Sequence, residues 1–284
     1  MSAVNVEVGM PYTLSRGARI WWEEEGEGEP LLMIMGLSFS LAMWRDLRTF
    51  MARHFRTILF DNRGVGRSDV PLRPWSMRTM ARDAVAVLDA ASVEEAHVLG
   101  VSMGGMIAQE LTLLYPARVR KLILACTQCG GPRKVRPDFD VYRTFARPFS
   151  SHEQRSRAFV PLLYSPETPA ERIAQDRATL LANHAPLRGS ICQIAAILSW
   201  KCYDRLPQIA SPTLVIHGDR DRLVPVENGR LIAERIPGAK LVELPGAGHI
   251  FPTDQPERTV DELLGFLLDE SHSQALDRVH AELK

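Results

Sequence analysis

The stretch Gly100-Val101-Ser102-Met103-Gly104 narrows the folds open to this chain more than any other. It stands between Ala96-His97-Val98-Leu99, an apolar run that predicts a strand, and a helix-forming segment from Met103 to about Tyr115 that Pro116 stops. A serine placed between glycines on a strand-to-helix turn takes a strained backbone conformation and projects its hydroxyl above the sheet edge. Small residues two before and two after it let strand and helix approach without side-chain collision. A turn of this kind needs a buried strand leading in and a helix leading out.

The rest of the chain repeats that alternation. Strands are predicted at Ala18–Trp22, Leu31–Met35, Arg56–Phe60, Lys121–Ala125, Thr213–His217 and Lys240–Leu244. Helices are predicted over Met43–Phe55 and from the Ser76 cap to about Ala91, the latter with Met77, Met80, Ala84, Val87 and Leu88 on one face. Strands alternating with helices give βαβ units and a mainly parallel sheet with helices on both faces. The 284 residues, 45% of them hydrophobic, are enough for one such domain. Between about Gly130 and Leu206 the alternation breaks into proline-punctuated short helices, among them Ala170–Ala182 and Leu187–Trp200. Phe145, Phe149, Phe159, Tyr164, Ile191, Ile194 and Trp200 give that segment too much apolar surface for a solvated tether. It reads as a helical lid at residues 131–206, inserted into a core made of 1–130 and 207–284.

Two further chemical groups follow strands. The run to His217 opens into Gly218-Asp219-Arg220-Asp221, with Val224-Pro225 just beyond, and the run to Leu244 opens into Pro245-Gly246-Ala247-Gly248-His249. In an open parallel sheet the carboxyl ends of the strands border the binding crevice, so serine, acid and histidine would converge there. A serine hydroxyl needs a base to take its proton as it attacks a carbonyl. Imidazole suits that task, and a carboxylate on the far ring nitrogen fixes its tautomer. Ser102 is thus the candidate nucleophile and His249 the candidate base. His54, His97, His152, His184, His272 and His280 are read as exposed or capping residues, and His217 as a core or supporting residue.

These motifs, together with Asp61-Asn62-Arg63-Gly64-Val65-Gly66-Arg67-Ser68 after an early strand, resemble the α/β-hydrolase superfamily of the esterase and lactonase type along nearly the whole chain. The resemblance implies the α/β-hydrolase fold, a lid at the place of the helical insertion, and Asp221 rather than Asp219 as the acid. It implies backbone donors for an oxyanion at the N–H of Met103 and of Leu37. Met35-Gly36 stands where the family commonly has His-Gly, which is closer to some methyl-esterases and enol-lactonases than to generic lipases. The activity implied is hydrolysis of a small or medium carboxylic ester or lactone, EC 3.1.1 type, through an acyl-enzyme. Thioesterase, perhydrolase, C–C hydrolase and acyltransferase chemistry stay open, as does a non-catalytic ligand-binding relative.

An apolar pocket is expected, lined by Phe39, Phe145, Phe159, Tyr164, Trp200 and Val224, with no charge placed to hold an ionic group. The arginines from Arg143 to Arg157 are read as a solvated surface. A formal net charge of zero gives no reason to expect nucleic acid or an anionic membrane. Met1–Met10 lacks the pattern of a secretory signal and no apolar run reaches bilayer length, so the cytoplasm is expected. Cys126-Thr127-Gln128-Cys129 matches C-x-x-C but follows a strand, and it reads as packing rather than a redox or zinc site. Asp61–Ser68 lacks the lysine of a phosphate loop and reads as a structural turn under the site. No metal and no cofactor are implied; a homo-oligomer is left open.

Overall fold

A computed structural model describes residues 11–268. The signal-sequence reading of Met1–Met10 and the readings of His272 and His280 lie outside those residues. Eight strands form one sheet: β1 (Tyr12–Ser15), β2 (Ala18–Glu25), β3 (Pro30–Ile34), β4 (Arg56–Phe60), β5 (Ala96–Val101), β6 (Val119–Ala125), β7 (Thr213–Gly218) and β8 (Lys240–Leu244). Their spatial order is β1-β2-β4-β3-β5-β6-β7-β8; the pairs β1/β2 and β2/β4 are antiparallel and the rest parallel. The order reverses between β3 and β5, so the crevice of an open sheet opens there, beyond the ends of those two strands.

The central strands β3 to β7 are largely apolar because both faces are covered, whereas β1, β2 and β8 toward the edges carry exposed and charged residues. Leu32 and Ile34 of β3, Val98 of β5, and Leu122 and Leu124 of β6 point into one core layer. Leu31, Met33, Leu99, Val101, Ile123 and Ala125 alternate into the other. The first layer packs on α2 (Met77–Ala90) and α3 (Met103–Leu114). In α2, Ser76 Oγ accepts the N–H of Thr79, the predicted cap. The second layer packs on α1 (Arg45–Met51) and on residues of a C-terminal helix described below. The predicted Met43–Phe55 helix is shorter than expected. Leu41–Trp44 is a tight 3-10 turn, and the chain leaves α1 after Met51 to reach β4.

Between β6 and β7 run four helices, α4 (Phe139–Ala146), α5 (His152–Leu163), α6 (Ala170–Ala182) and α7 (Leu187–Ser199). After β7 come α8 (Glu227–Arg235), the single turn α9 (Phe251–Asp254) and α10 (Pro256–Leu267). Among the described residues no helix is long and apolar enough to cross a membrane.

The sheet positions the serine through contacts that only glycine allows. A Cβ on Gly104 would stand 2.0 Å from the carbonyl oxygen of Ile34, and one on Gly100 would stand 2.4 Å from that of Gly104. Both obstacles are backbone and cannot swing aside. Gly104→Ala should therefore destabilise by about 3 kcal/mol, toward the upper end for forced overpacking. In a chain of this size that is a fall in Tm of roughly 6–12 °C, read by circular dichroism. An unchanged Tm would mean that α3 does not press on β3 so closely.

Candidate active site

Ser102 joins β5 to α3 with φ +56° and ψ −118°, a left-handed conformation for a residue that carries a Cβ. It is held there by its own backbone. Its N–H donates to the Ala125 carbonyl at 2.8 Å, and its carbonyl accepts from Gly105 N–H at 3.0 Å and from the Thr127 hydroxyl at 2.7 Å. Because the N–H of Gly105 and that of Met106 both turn back to the Ser102 carbonyl, the Met103 amide remains at the positive helix end.

The loop after β3 faces this serine. A Cβ on Gly36 would lie 3.2 Å from Ser102 Cβ, and the next residue, Leu37, lines the same pocket as Ser102. The loop is braced from two sides. Asn62 Nδ2 donates to the Met35 carbonyl at 2.8 Å, and the Asp61 carboxylate accepts the N–H of Leu41 and that of Arg67, both at 2.8 Å. Asp61–Ser68 is thus a turn beneath the site. From α7, the Oε1 of Gln193 accepts Ser38 N–H at 2.8 Å while its Nε2 donates to the Arg63 carbonyl at 2.9 Å. The sequence reading missed this brace. Its only trace is one amide in the apolar run Ile191–Leu198.

His249 follows β8, and its Nδ1 lies 2.7 Å from Oδ2 of the fully buried Asp221 carboxylate. In the neutral ring the proton sits on Nδ1, beside the carboxylate, and Nε2 is the nitrogen open to a further proton. The other carboxylate oxygen accepts the N–H of Leu223 at 2.9 Å and that of Val224 at 2.8 Å. Burial works to raise the Asp221 pKa, but the neighbouring charge of His249 and hydrogen bonds from His217 and His249 outweigh it and hold the carboxyl well below the usual range. Asp219 is exposed and accepts Gly246 N–H at 2.7 Å; it braces the turn before His249 and leaves the ring to Asp221. Asp254, also missed, steadies the same turn by accepting Gly248 N–H at 2.6 Å.

Cys126, His217 and Asp221 place potential metal-ligand atoms within 4.8 Å of one another. The arrangement is that of a brace rather than a ligand set. His217 Nε2 faces two oxygens, Val224 O at 2.8 Å and Asp221 Oδ2 at 3.3 Å, so it bears a proton, whereas a metal-bound nitrogen cannot. Burial, with the Asp221 charge beside it, raises the Cys126 thiol far above its ordinary pKa, so the sulfur packs there as a neutral thiol. Cys126 and Cys129 are both buried and unlinked, as packing residues are.

Ser102 and His249 open into a pocket of about 190 Å³ with Leu37, Phe39, Phe145 and Phe159 among its walls. A second chamber of about 420 Å³ shares Phe39, Val101 and His249 with it. Three expected wall residues are elsewhere. Tyr164 is buried with its hydroxyl donating to Asp176 at 3.1 Å, and Trp200 turns its indole N–H to Glu110 at 3.0 Å. Each large ring takes its polar tip to a buried acceptor instead of to the pocket. Val224 is held by its backbone under Asp221, and Leu223 takes its place at the wall. His97, expected exposed or capping, is buried on β5 with Nε2 2.9 Å from Glu29.

A family model for the α/β hydrolase fold matches residues 29–256. A protein of Azorhizobium caulinodans carrying the provisional name carbamate hydrolase RutD is 35% identical over 260 residues, 90% of this chain and 98% of that one. The enol-lactonase of Burkholderia xenovorans LB400 superposes with a TM-score of 0.79 at 25% identity, covering 91% of this chain and 100% of that one. A thermophilic esterase of Thermogutta terrifontis gives 0.77 at 27% identity, with 92% and 97% covered. With its sheet order, its strained serine turn and a family match over most of its length, the chain belongs to the α/β hydrolase fold family and is a hydrolase.

Proposed function

We propose that this hydrolase cleaves a carboxylic ester or lactone through a Ser102–His249–Asp221 triad. The observation that carries the reading is the buried Asp221–His249 hydrogen bond in a pocket wall shared with a serine held at positive φ. His249 Nε2 takes the Ser102 proton as Oγ attacks the carbonyl carbon, and Asp221 steadies the imidazolium that results. The oxyanion forms against the amides of Met103 and Leu37. Collapse expels the alcohol with the proton from His249 and leaves an acyl-enzyme, which water attacks by the same steps in reverse. A lactone opens in the same way, its ring oxygen taking the proton from His249 and remaining on the acyl chain as a hydroxyl.

The named activities of the esterase and the enol-lactonase support this chemistry, and the name of the Azorhizobium relative adds carbamates, whose carbonyl would meet the same nucleophile. Four free cysteines agree with the cytoplasm as its place of action. The test is a screen of p-nitrophenyl esters, lactones and a p-nitrophenyl carbamate, with Ser102→Ala as the blank. Turnover of esters or lactones above that blank supports the reading. Turnover of the carbamate alone would replace it.

We also propose that α4–α7 act as the lid and set acyl-chain preference, since Phe145, Phe159, Leu180 and Leu187 bring one wall residue from each. Phe159→Ala should shift relative kcat/KM across acyl lengths by roughly one to two powers of ten while an acetyl ester keeps most of its rate. A flat profile across several lid variants would return specificity to the loops after β3 and β8.

A further inference from the structure

Resting on the hydrolase reading above, we propose that the lid end of this pocket is an anion subsite anchored by Arg155, so that the preferred substrate carries a carboxylate at the end of an apolar chain.

Arg155 lines the pocket together with Ser102 and His249, and it is half-buried rather than fully solvated. Its guanidinium lies 5.7 Å over the ring of Phe159, another wall residue. Stacking occupies the face of the guanidinium and leaves its N–H edge, the part that grips a carboxylate in a bidentate fork. Among the described residues no acid takes that edge. The two nearby acids of α4 and α5 are already engaged: Asp140 with Arg222, and Glu153 with Arg157 and Arg177. Arg143 of α4 and Arg147 just beyond that helix add exposed positive charge to the same part of the chain. The sequence reading expected no charge placed to hold an ionic group, and Arg155 stands in the pocket wall.

The helix also sets a ruler. At one end of α5, the Leu163 carbonyl accepts Ile250 N–H at 2.8 Å, directly beside His249. Arg155 lies eight residues earlier, about 12 Å along the helix. The wall between them, with Phe159, Leu163 and Leu181, is apolar. His152 and His184, stacked with ring centroids 4.2 Å apart, flank the Arg155 end. Reacting carbonyl at one end, apolar chain between and carboxylate at the other describe the half-ester, or the lactone acid, of a medium-length dicarboxylic acid.

p-Nitrophenyl octanoate and the mono-p-nitrophenyl ester of octanedioic acid have chains of equal length and differ by one terminal carboxylate. The wild-type protein should prefer the half-ester by about tenfold or more in kcat/KM, less so at high salt. Arg155→Met should bring the ratio to one or below, and Arg155→Lys should retain part of it. Arg157→Met, whose side chain is engaged by Glu153, should leave it as in the wild type. A wild-type preference for octanoate, or a ratio that survives Arg155→Met, overturns the subsite. Calorimetry of octanedioate with Ser102→Ala separates the two readings, because it needs no turnover. Binding that Arg155→Met abolishes supports the subsite even if neither ester is cleaved. Ester turnover without binding of octanedioate refutes the subsite and leaves the hydrolase reading standing.

Discussion

Ser102→Ala and His249→Ala are each expected to lower kcat by about 10⁶, and the double variant to fall little further. The physical reason is that neither group works alone. The hydroxyl is a weak nucleophile until Nε2 of His249 removes its proton, and the imidazole has nothing to activate without the hydroxyl. What remains in each variant is the contribution of the Met103 and Leu37 amides and of substrate positioning, which is the same in all three. Ser102→Ala keeps a Cβ at φ +56°, so the backbone of the turn is not relaxed by the change. Steady-state kinetics on protein shown by circular dichroism to be folded checks this. A kcat within tenfold of wild type in either variant would dissolve the proposed unit.

Asp221→Asn is expected to cost about 10⁴ in kcat, and Asp219→Asn less than tenfold. With an amide in place of the Asp221 carboxylate, Nδ1 of His249 would meet either an N–H or a neutral oxygen. The N–H drives the proton to Nε2, and that nitrogen can no longer accept from Ser102. The neutral oxygen leaves the imidazolium without its counter-charge in a fully buried setting. The Asp219 carboxylate accepts one hydrogen bond, from Gly246 N–H, at the surface. Its loss loosens the turn before His249 without changing the tautomer. Equal losses in both variants, with each folded, would mean that the turn matters more than the ring contact.

Much of this was legible because the informative residues are local in sequence. The serine turn shows itself through a strand, two glycines and a helix start within a dozen residues, and the structure places it as read. Asp221 and His249 each follow a strand by a few residues, so a parallel sheet brings them to the same edge. The helices Ala170–Ala182 and Leu187–Ser199 lie where their patterns put them. What was hidden depends on contacts across long separations. Gln193 reaches Ser38 over 155 positions, and no local pattern marks such a pair. Tyr164 and Trp200 were read as pocket walls because their size is visible in sequence, while the buried acceptors that claim them, Asp176 and Glu110, are not. Strand β1 has four residues, too few to show a period, and it gains its place by pairing with β2. Arg155 was read with its charged neighbours as solvated surface. Only the fold shows which of those arginines have acids and which one lines the same pocket as the serine.

The central claim is that Ser102 becomes acylated during turnover, and peptide mass mapping after treatment with a fluorophosphonate tests it most directly. An activated serine should take up one phosphonyl group, on the peptide containing Ser102, with ester hydrolysis lost in step and no labelling in Ser102→Ala or His249→Ala. Ester hydrolysis that continues while Ser102 stays unmodified, or an inactivating adduct on another residue, would contradict the assignment of the nucleophile.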